Sequence, residues 1–192
     1  MIYSIILALG LAFGTTGEGI ETKSVSVDDS KITWIGRKVG GSHNGYINLT
    51  QGSLLVEDSK IVGGSFEIDM SSITNEDLSG EYKGKLEGHL KSDDFFGVEK
   101  FPTATFEITE AIPQGPGKYK ITGDITIKGI TKEIKFPASV TENGGIYEAS
   151  ADITIDRSEF NVRYGSGSFF DNLGDKVIYD DFDLSVTLTT NP

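Results

Sequence analysis

The sequence contains no cysteine. Disulfides, thiolate nucleophiles, thiolate zinc sites and cysteine-linked lipid anchors are therefore excluded for this chain. It has only two histidines, His43 and His89, too few to build a histidine-rich metal site within one chain. Positive charge is also scarce. Seventeen Lys and Arg stand against 29 Asp and Glu, a formal net charge of -12. Nucleic-acid binding draws its affinity from clustered cations, so DNA and RNA are unfavoured partners, as is an anionic lipid surface. Phosphate-loop, dinucleotide, H-E-x-x-H and EF-hand patterns are all missing. No G-x-S-x-G elbow occurs either; Tyr164-Gly165-Ser166-Gly167-Ser168 comes nearest and reads as a glycine-rich loop. No cofactor is called for.

What is present begins with an apolar run, Ile2 to Phe13, before the first charge at Glu18. It is shorter than the roughly twenty residues a spanning helix needs. With Ala12-Phe13-Gly14 as a small-x-small site, it fits a secretory signal that lacks a leading Lys or Arg. The expectation is a signal peptide at 1–14, a single domain at 15–192, and a periplasmic or secreted mature protein.

Period-two alternation dominates the remainder. Phe66, Ile68 and Met70 share one face, as do Ala104, Phe106 and Ile108. Tyr119, Ile121, Gly123, Ile125 and Ile127 make the longest apolar row; further rows are Ile134 to Val140, Tyr147 to Ile155 and Phe182 to Leu188. Shorter strands are expected at Ile32–Ile35, Tyr46–Thr50 and Ser53–Val56. Turns are expected at Lys128-Gly129-Ile130-Thr131, Glu142-Asn143-Gly144-Gly145 and Pro113-Gln114-Gly115-Pro116-Gly117. About eight or nine strands with short connections predict an all-β, antiparallel barrel, since each one-sided strand must bury its apolar face and closure removes exposed edges. One segment, Asn75 to Phe96, changes period. Leu78, Tyr82, Leu86 and His89/Leu90 recur at helical spacing, with Thr74 and Asp77 as a starting cap, predicting one short helix within 74–96.

The inward rows mix large residues with small ones: Ala104, Gly123, Ala138, Ala149 and Ala151 among Phe66, Phe106, Phe136 and Phe182. Small residues on a concave wall leave room either for a guest or for the large side chains opposite. Composition does not choose between these. Carboxylates are abundant but alternate along solvated strand faces, so they read as surface charge rather than as a facing catalytic pair. Asp156-Arg157-Ser158 reads as a charged pin at a strand end. His43 reads as an exposed loop residue.

Four strings carry a resemblance. They are His89-Leu90-Lys91-Ser92-Asp93-Asp94-Phe95-Phe96 running on to Phe101-Pro102-Thr103-Ala104-Thr105-Phe106; Gly123-Asp124-Ile125-Thr126-Ile127-Lys128-Gly129-Ile130-Thr131-Lys132 running on to Phe136-Pro137; Ile155-Asp156-Arg157-Ser158-Glu159-Phe160; and Gly174-Asp175-Lys176-Val177. In order and spacing they resemble the YceI-like family of lipid- or polyisoprenoid-binding proteins over residues 26–189. Asn161 stands where that family often has glycine, and Gly97 where it often has an acidic residue.

The resemblance implies an extended lipocalin-like barrel, an apolar tunnel holding a long isoprenoid or fatty-acyl chain, an exported protein that is sometimes a homodimer, and no catalytic residue. On that footing the tunnel wall is assigned to Trp34, Phe66, Ile68, Met70, Phe95, Phe106, Ile127, Phe136 and Phe160. His89, Arg157 and Tyr164 are assigned polar contacts near a mouth. Two other classes stay open: a barrel enzyme using His89 as acid or base on a lipid, and a solid acidic barrel acting on a protein partner.

Overall fold

The computed structural model describes residues 19–192, so the segment expected to be a signal lies outside the described residues. Eight strands run β1 Glu21–Lys38, β2 Gly41–Glu57, β3 Lys60–Asn75, β4 Thr103–Gly115, β5 Lys118–Ile127, β6 Ile130–Asn143, β7 Ile146–Asp156 and β8 Ile178–Thr190. Each pairs antiparallel with its chain neighbours, and β8 returns to β1 to close the barrel in sequence order. A single helix, α1 Gly80–Lys91, lies between β3 and β4, and two 3-10 turns, at Arg157–Phe160 and Gly174–Lys176, lie between β7 and β8.

The alternation that predicted β5 appears as burial. Tyr119, Ile121, Ile125 and Ile127 face inward and are buried, and Lys118 and Lys120 face water. Asp58–Ser59, Lys128–Gly129 and Gly144–Gly145 are two-residue corners with positive φ at both positions, the turn that suits the right-handed twist of paired strands. The corner expected around Asn143 is thus carried by the two glycines, with Asn143 ending β6.

The strands expected separately at Tyr46–Thr50 and Ser53–Val56 are one strand, β2. Its inward phase changes midway: Gly45, Ile47 and Leu49 are buried, then Leu54 and Val56. The register against β3 slips between Leu49 and Gln51. A bulge there returns the next apolar residues to the same face. That phase change is why the pattern read as two strands.

The helix begins later than its sequence suggested. Thr74 belongs to β3, and its carbonyl accepts the indole N–H of Trp34 at 3.0 Å. Asp77 caps nothing in the helix. Its carboxylate receives the Asn44 N–H at 2.9 Å and sits 2.7 Å from the His43 ring, so His43 is a paired β2 residue rather than a free loop residue. Asn75, fully buried, completes the knot: its amide donates to the Asn44 carbonyl at 3.0 Å, its carbonyl accepts the Leu78 N–H at 2.9 Å, and its own N–H donates to Glu87 of the helix at 2.8 Å. Tyr82 is 74% exposed, so the apolar residues by which α1 docks are Leu86 and Leu90, with the His89 ring beside them. The helix is held by this polar joint as much as by apolar contact.

Burial pushes the Asp77 carboxyl upward, but the Asn44 N–H, the His43 ring and the Asn75 amide outweigh it and hold it at about 2 against an ordinary 3.8. A folded-state pKa below the unfolded one adds stability that is complete above about pH 4 and lost as pH falls toward 2. Asp77→Asn is therefore expected to melt lower than the natural chain at pH 6, with the gap closing between pH 4 and 2. Thermal melts across that range check it; a gap that does not change with pH would show that the ionised carboxylate is not what matters.

Candidate functional site

Inside the barrel lies a cavity of about 220 Å³. Roughly 10–15 Å³ of such space suffices for one water, so this is no packing defect. It reaches from Leu54, Ile61 and Leu188 near the hairpin corners to Leu90, Phe95 and Phe96 at the helix end. Its wall is almost wholly hydrocarbon. Among the described residues, Ser150, Arg157 and Tyr179 bring the only polar side-chain ends apart from the Trp34 N–H, which is already bonded, and no carboxylate or histidine lines the space.

The two readings of the small inward residues divide by position. Gly123 makes room for protein: a Cβ there would collide with the Phe106 ring. Phe106 thereby joins a row of rings, 6.3 Å from Phe66 on one side and 5.6 Å from Phe136 on the other. Ala104, Ala138, Ala149 and Ala151, by contrast, line the void. Their missing side-chain volume is not reclaimed by the residues opposite.

Of the residues assigned to the wall, Trp34, Phe66, Ile68, Met70, Phe95, Phe106, Ile127 and Phe136 line the cavity. Phe160 does not. It is 1% exposed but buried in the turn after β7, beneath the bore rather than along it. His89 and Tyr164 also stand outside the wall. Their rings meet edge-on at 4.3 Å, and the His89 ring also contacts Phe95 at 5.7 Å, so they back the floor from outside. The His89 Nε2 is buried with no hydrogen-bond partner among the described residues. Lining residues that the sequence reading did not assign include Leu90 at the end of α1, Phe96 just after it, and Ile178, which opens β8; Phe182, read from sequence as an inward residue, lines the cavity too.

Arg157 does reach the cavity, but each of its three nitrogens already donates to a backbone carbonyl. Nε donates to the Tyr179 carbonyl at 3.2 Å, Nη1 to Val162 at 2.8 Å and Nη2 to Ile178 at 2.9 Å. Asp180 lies 3.2 Å from Nη2 as a charge contact without hydrogen-bond alignment. The guanidinium also lies over the Phe95 ring at 5.3 Å. Burial pulls its pKa below the ordinary value, while Asp180 and Asp156 pull the other way. Asp156 accepts the Ser158 N–H at 2.8 Å, and Asn161 closes the turn with φ of 58°, the left-handed region that favours glycine and next asparagine. The strand-end pin expected of Asp156-Arg157-Ser158 is what the structure shows.

Ser166, in the loop that comes nearest to a nucleophile elbow, is fully buried and accepts the Ser168 N–H at 3.1 Å, while Ser168 donates to Asp180 at 2.6 Å. These are turn contacts. No group of three or more His, Asp or Glu placed to hold a metal occurs among the described residues.

The family model for a YceI-like domain matches residues 24–190. A UPF0312 protein of Shewanella denitrificans is 30% identical over 109 residues, covering 54% of this chain and 55% of that protein. Another, from Pectobacterium atrosepticum, is 40% identical over 80 residues, covering 38% and 41%. The aligned part thus spans about half the length, or less, of these curated relatives. Among solved structures, Burkholderia cenocepacia BcnA superposes with a TM-score of 0.72 at 23% identity, over 87% of this chain and 99% of that one. A polyisoprenoid binding domain from Saccharophagus degradans gives 0.65 at 12% identity, over 90% and 99%. At such identities the likeness shows the fold. The family model spans nearly all the described residues, and its barrel is the one these strands build: the chain belongs to the YceI-like domain family.

Proposed function

We propose that this protein binds a long-chain apolar lipid, a polyisoprenoid or a fatty-acyl compound, in its bore, and that it carries or stores that lipid without converting it. The observation behind this reading is the bore itself: an unfilled space walled by hydrocarbon along the barrel. The solved neighbour described as a polyisoprenoid binding domain supports the same class of guest.

Burial of each CH₂ contributes about 0.8 kcal/mol, so a dozen or so supply about 10 kcal/mol before ordering costs, consistent with micromolar binding. Selectivity along the tail is loose, because methylenes are alike. The absence of His, Asp and Glu from the bore wall among the described residues, with His89 outside it, supports binding over acid–base conversion. The apolar run at residues 2–13 supports the reading of a carrier exported to the periplasm or beyond.

The test is native mass spectrometry of the purified full-length protein, followed by solvent extraction and incubation with oleate and farnesol. One lipid per chain, recovered unchanged, is expected. A protein that emerges empty and takes up neither probe refutes the carrier reading; a probe recovered chemically altered refutes its non-catalytic part.

A further inference from the structure

The barrel wall is not bonded along its whole length. β6 and β7 pair from Asn143–Ile146 at their corner to Ala138–Ala151, and there the ladder stops. Beyond it, Ile130–Pro137 bonds only to β5 and Asp152–Asp156 only to β8. Two strand edges therefore face each other unpaired. Pro137, the first residue past the last rung, has no N–H to extend the ladder. The 3-10 turn at Arg157–Phe160 lies against β6 and bounds the slit at the helix end.

A groove on the outer surface lies over this place. Phe136, Ala138, Ser150, Ala151 and Val186 line both the groove and the bore, so the two spaces share a wall one side chain thick. The groove's rim is cationic in a chain of net charge -12. Lys118, Lys120 and Lys135 line it against one carboxylate, Asp152. Asp152 accepts from the Ser185 hydroxyl, Lys118 donates to Ser139 at 2.7 Å, and Lys135 pairs with Glu133 at 2.7 Å.

The geometry points to this slit as the portal for the guest, and to the three lysines as the seat for an anionic head group, carboxylate or phosphate, whose tail lies in the bore. The inference rests on the carrier reading and narrows its ligand to an anionic amphiphile. Parting β6 from β7 below Ala138 breaks no ladder hydrogen bond, whereas parting a laddered pair breaks several. A charged head cannot follow the tail inward, because the one cation on the bore wall, Arg157, already serves three carbonyls and a bare anion in hydrocarbon is prohibitively costly. The head therefore stays at the rim, where the lysines are.

The test uses the natural absence of cysteine. Pro137→Cys with Asp152→Cys places thiols on both lips, and a short bis-maleimide joins them. Uptake of oleate, farnesyl phosphate and neutral farnesol is followed by stopped flow, with each single-cysteine variant treated alike. Joining the lips is expected to slow uptake of all three by about tenfold or more relative to the unjoined double variant. Unchanged uptake overturns the portal.

Separately, replacing Lys118, Lys120 and Lys135 together with glutamine is expected to weaken binding of the anionic probes by about tenfold and leave farnesol unchanged. A loss confined to oleate assigns a carboxylate head, and one confined to farnesyl phosphate assigns a phosphate. Equal behaviour of farnesol and the anions overturns the head-group seat. A natural chain that binds none of the probes defeats the carrier reading itself, and is recognised before any variant is made.

Discussion

Replacing Ala149 with phenylalanine is expected to weaken binding of a long-chain lipid by about a hundredfold without lowering the melting temperature. Ala149 faces inward on β7, opposite Val140 and Leu188, in the part of the barrel where the ladder is intact on both sides. It is nevertheless only half-buried, and it lines the void. The space beside it is therefore the bore, into which a ring at this position must project. Such a ring displaces on the order of three or four methylenes, worth about 3 kcal/mol at 0.8 kcal/mol each, or about a hundredfold in affinity.

Stability moves the other way or not at all. A large side chain is destabilising when it enters a filled core, where neighbours must leave their rotamers. Here it enters emptiness, and filling a cavity recovers dispersion contacts that the wall otherwise lacks. Titration with oleate or farnesol, together with a thermal melt, checks both halves. A variant that melts several degrees lower would show that the space at Ala149 is already occupied by protein. A variant that binds as tightly as the natural chain would place the guest elsewhere.

The barrel was legible in the sequence because each inward row alternates with water-facing polar residues, as in Tyr119 to Ile127 and Phe182 to Leu188. Reading failed where alternation changed phase. The bulge near Gln51 in β2 turned one strand into two on paper, and Thr74 with Asp77 imitated a helix cap although Thr74 lies within β3 and Asp77 ties β2 to β3. Of the twelve residues assigned to the site, the seven on strand faces lined the bore, because period two says which side is inside. Phe160, His89 and Tyr164 did not, because their places depend on how the helix and the β7–β8 connection close one end, which no local pattern encodes. The same holds for the voids: an alanine at 149 and a glycine at 123 look alike in a sequence, and only the position of the Phe106 ring separates spare room from filled room. The slit beside Pro137 was equally hidden, since register is a property of two strands together.

Arg157→Met should lower the melting temperature by roughly 6–20 °C, the consequence of losing about 3–5 kcal/mol in a domain of this size. The side chain is 2% exposed, and its guanidinium ties two stretches of chain together through three carbonyls: Val162 after the 3-10 turn, and Ile178 and Tyr179 at the start of β8. Without it three carbonyls lose their donors and Asp180, itself largely buried, keeps a carboxylate with no cation beside it. Methionine fills similar space beside Phe95 but can answer none of these groups. Lysine keeps the charge yet cannot reproduce a planar fork reaching three acceptors at once, so Arg157→Lys should fall between methionine and the natural chain. This pattern separates a structural pin from a ligand contact. A pin predicts that melting falls in the order arginine, lysine, methionine, whether or not lipid is present. A head-group contact predicts near-normal melting of the empty protein with binding lost for both variants. Melting of both variants within about 2 °C of the natural chain would show that the hydrogen bonds to Val162, Ile178 and Tyr179 do not hold the floor together. The seat of an anionic head would then have to be sought at Arg157 rather than at the lysines of the rim.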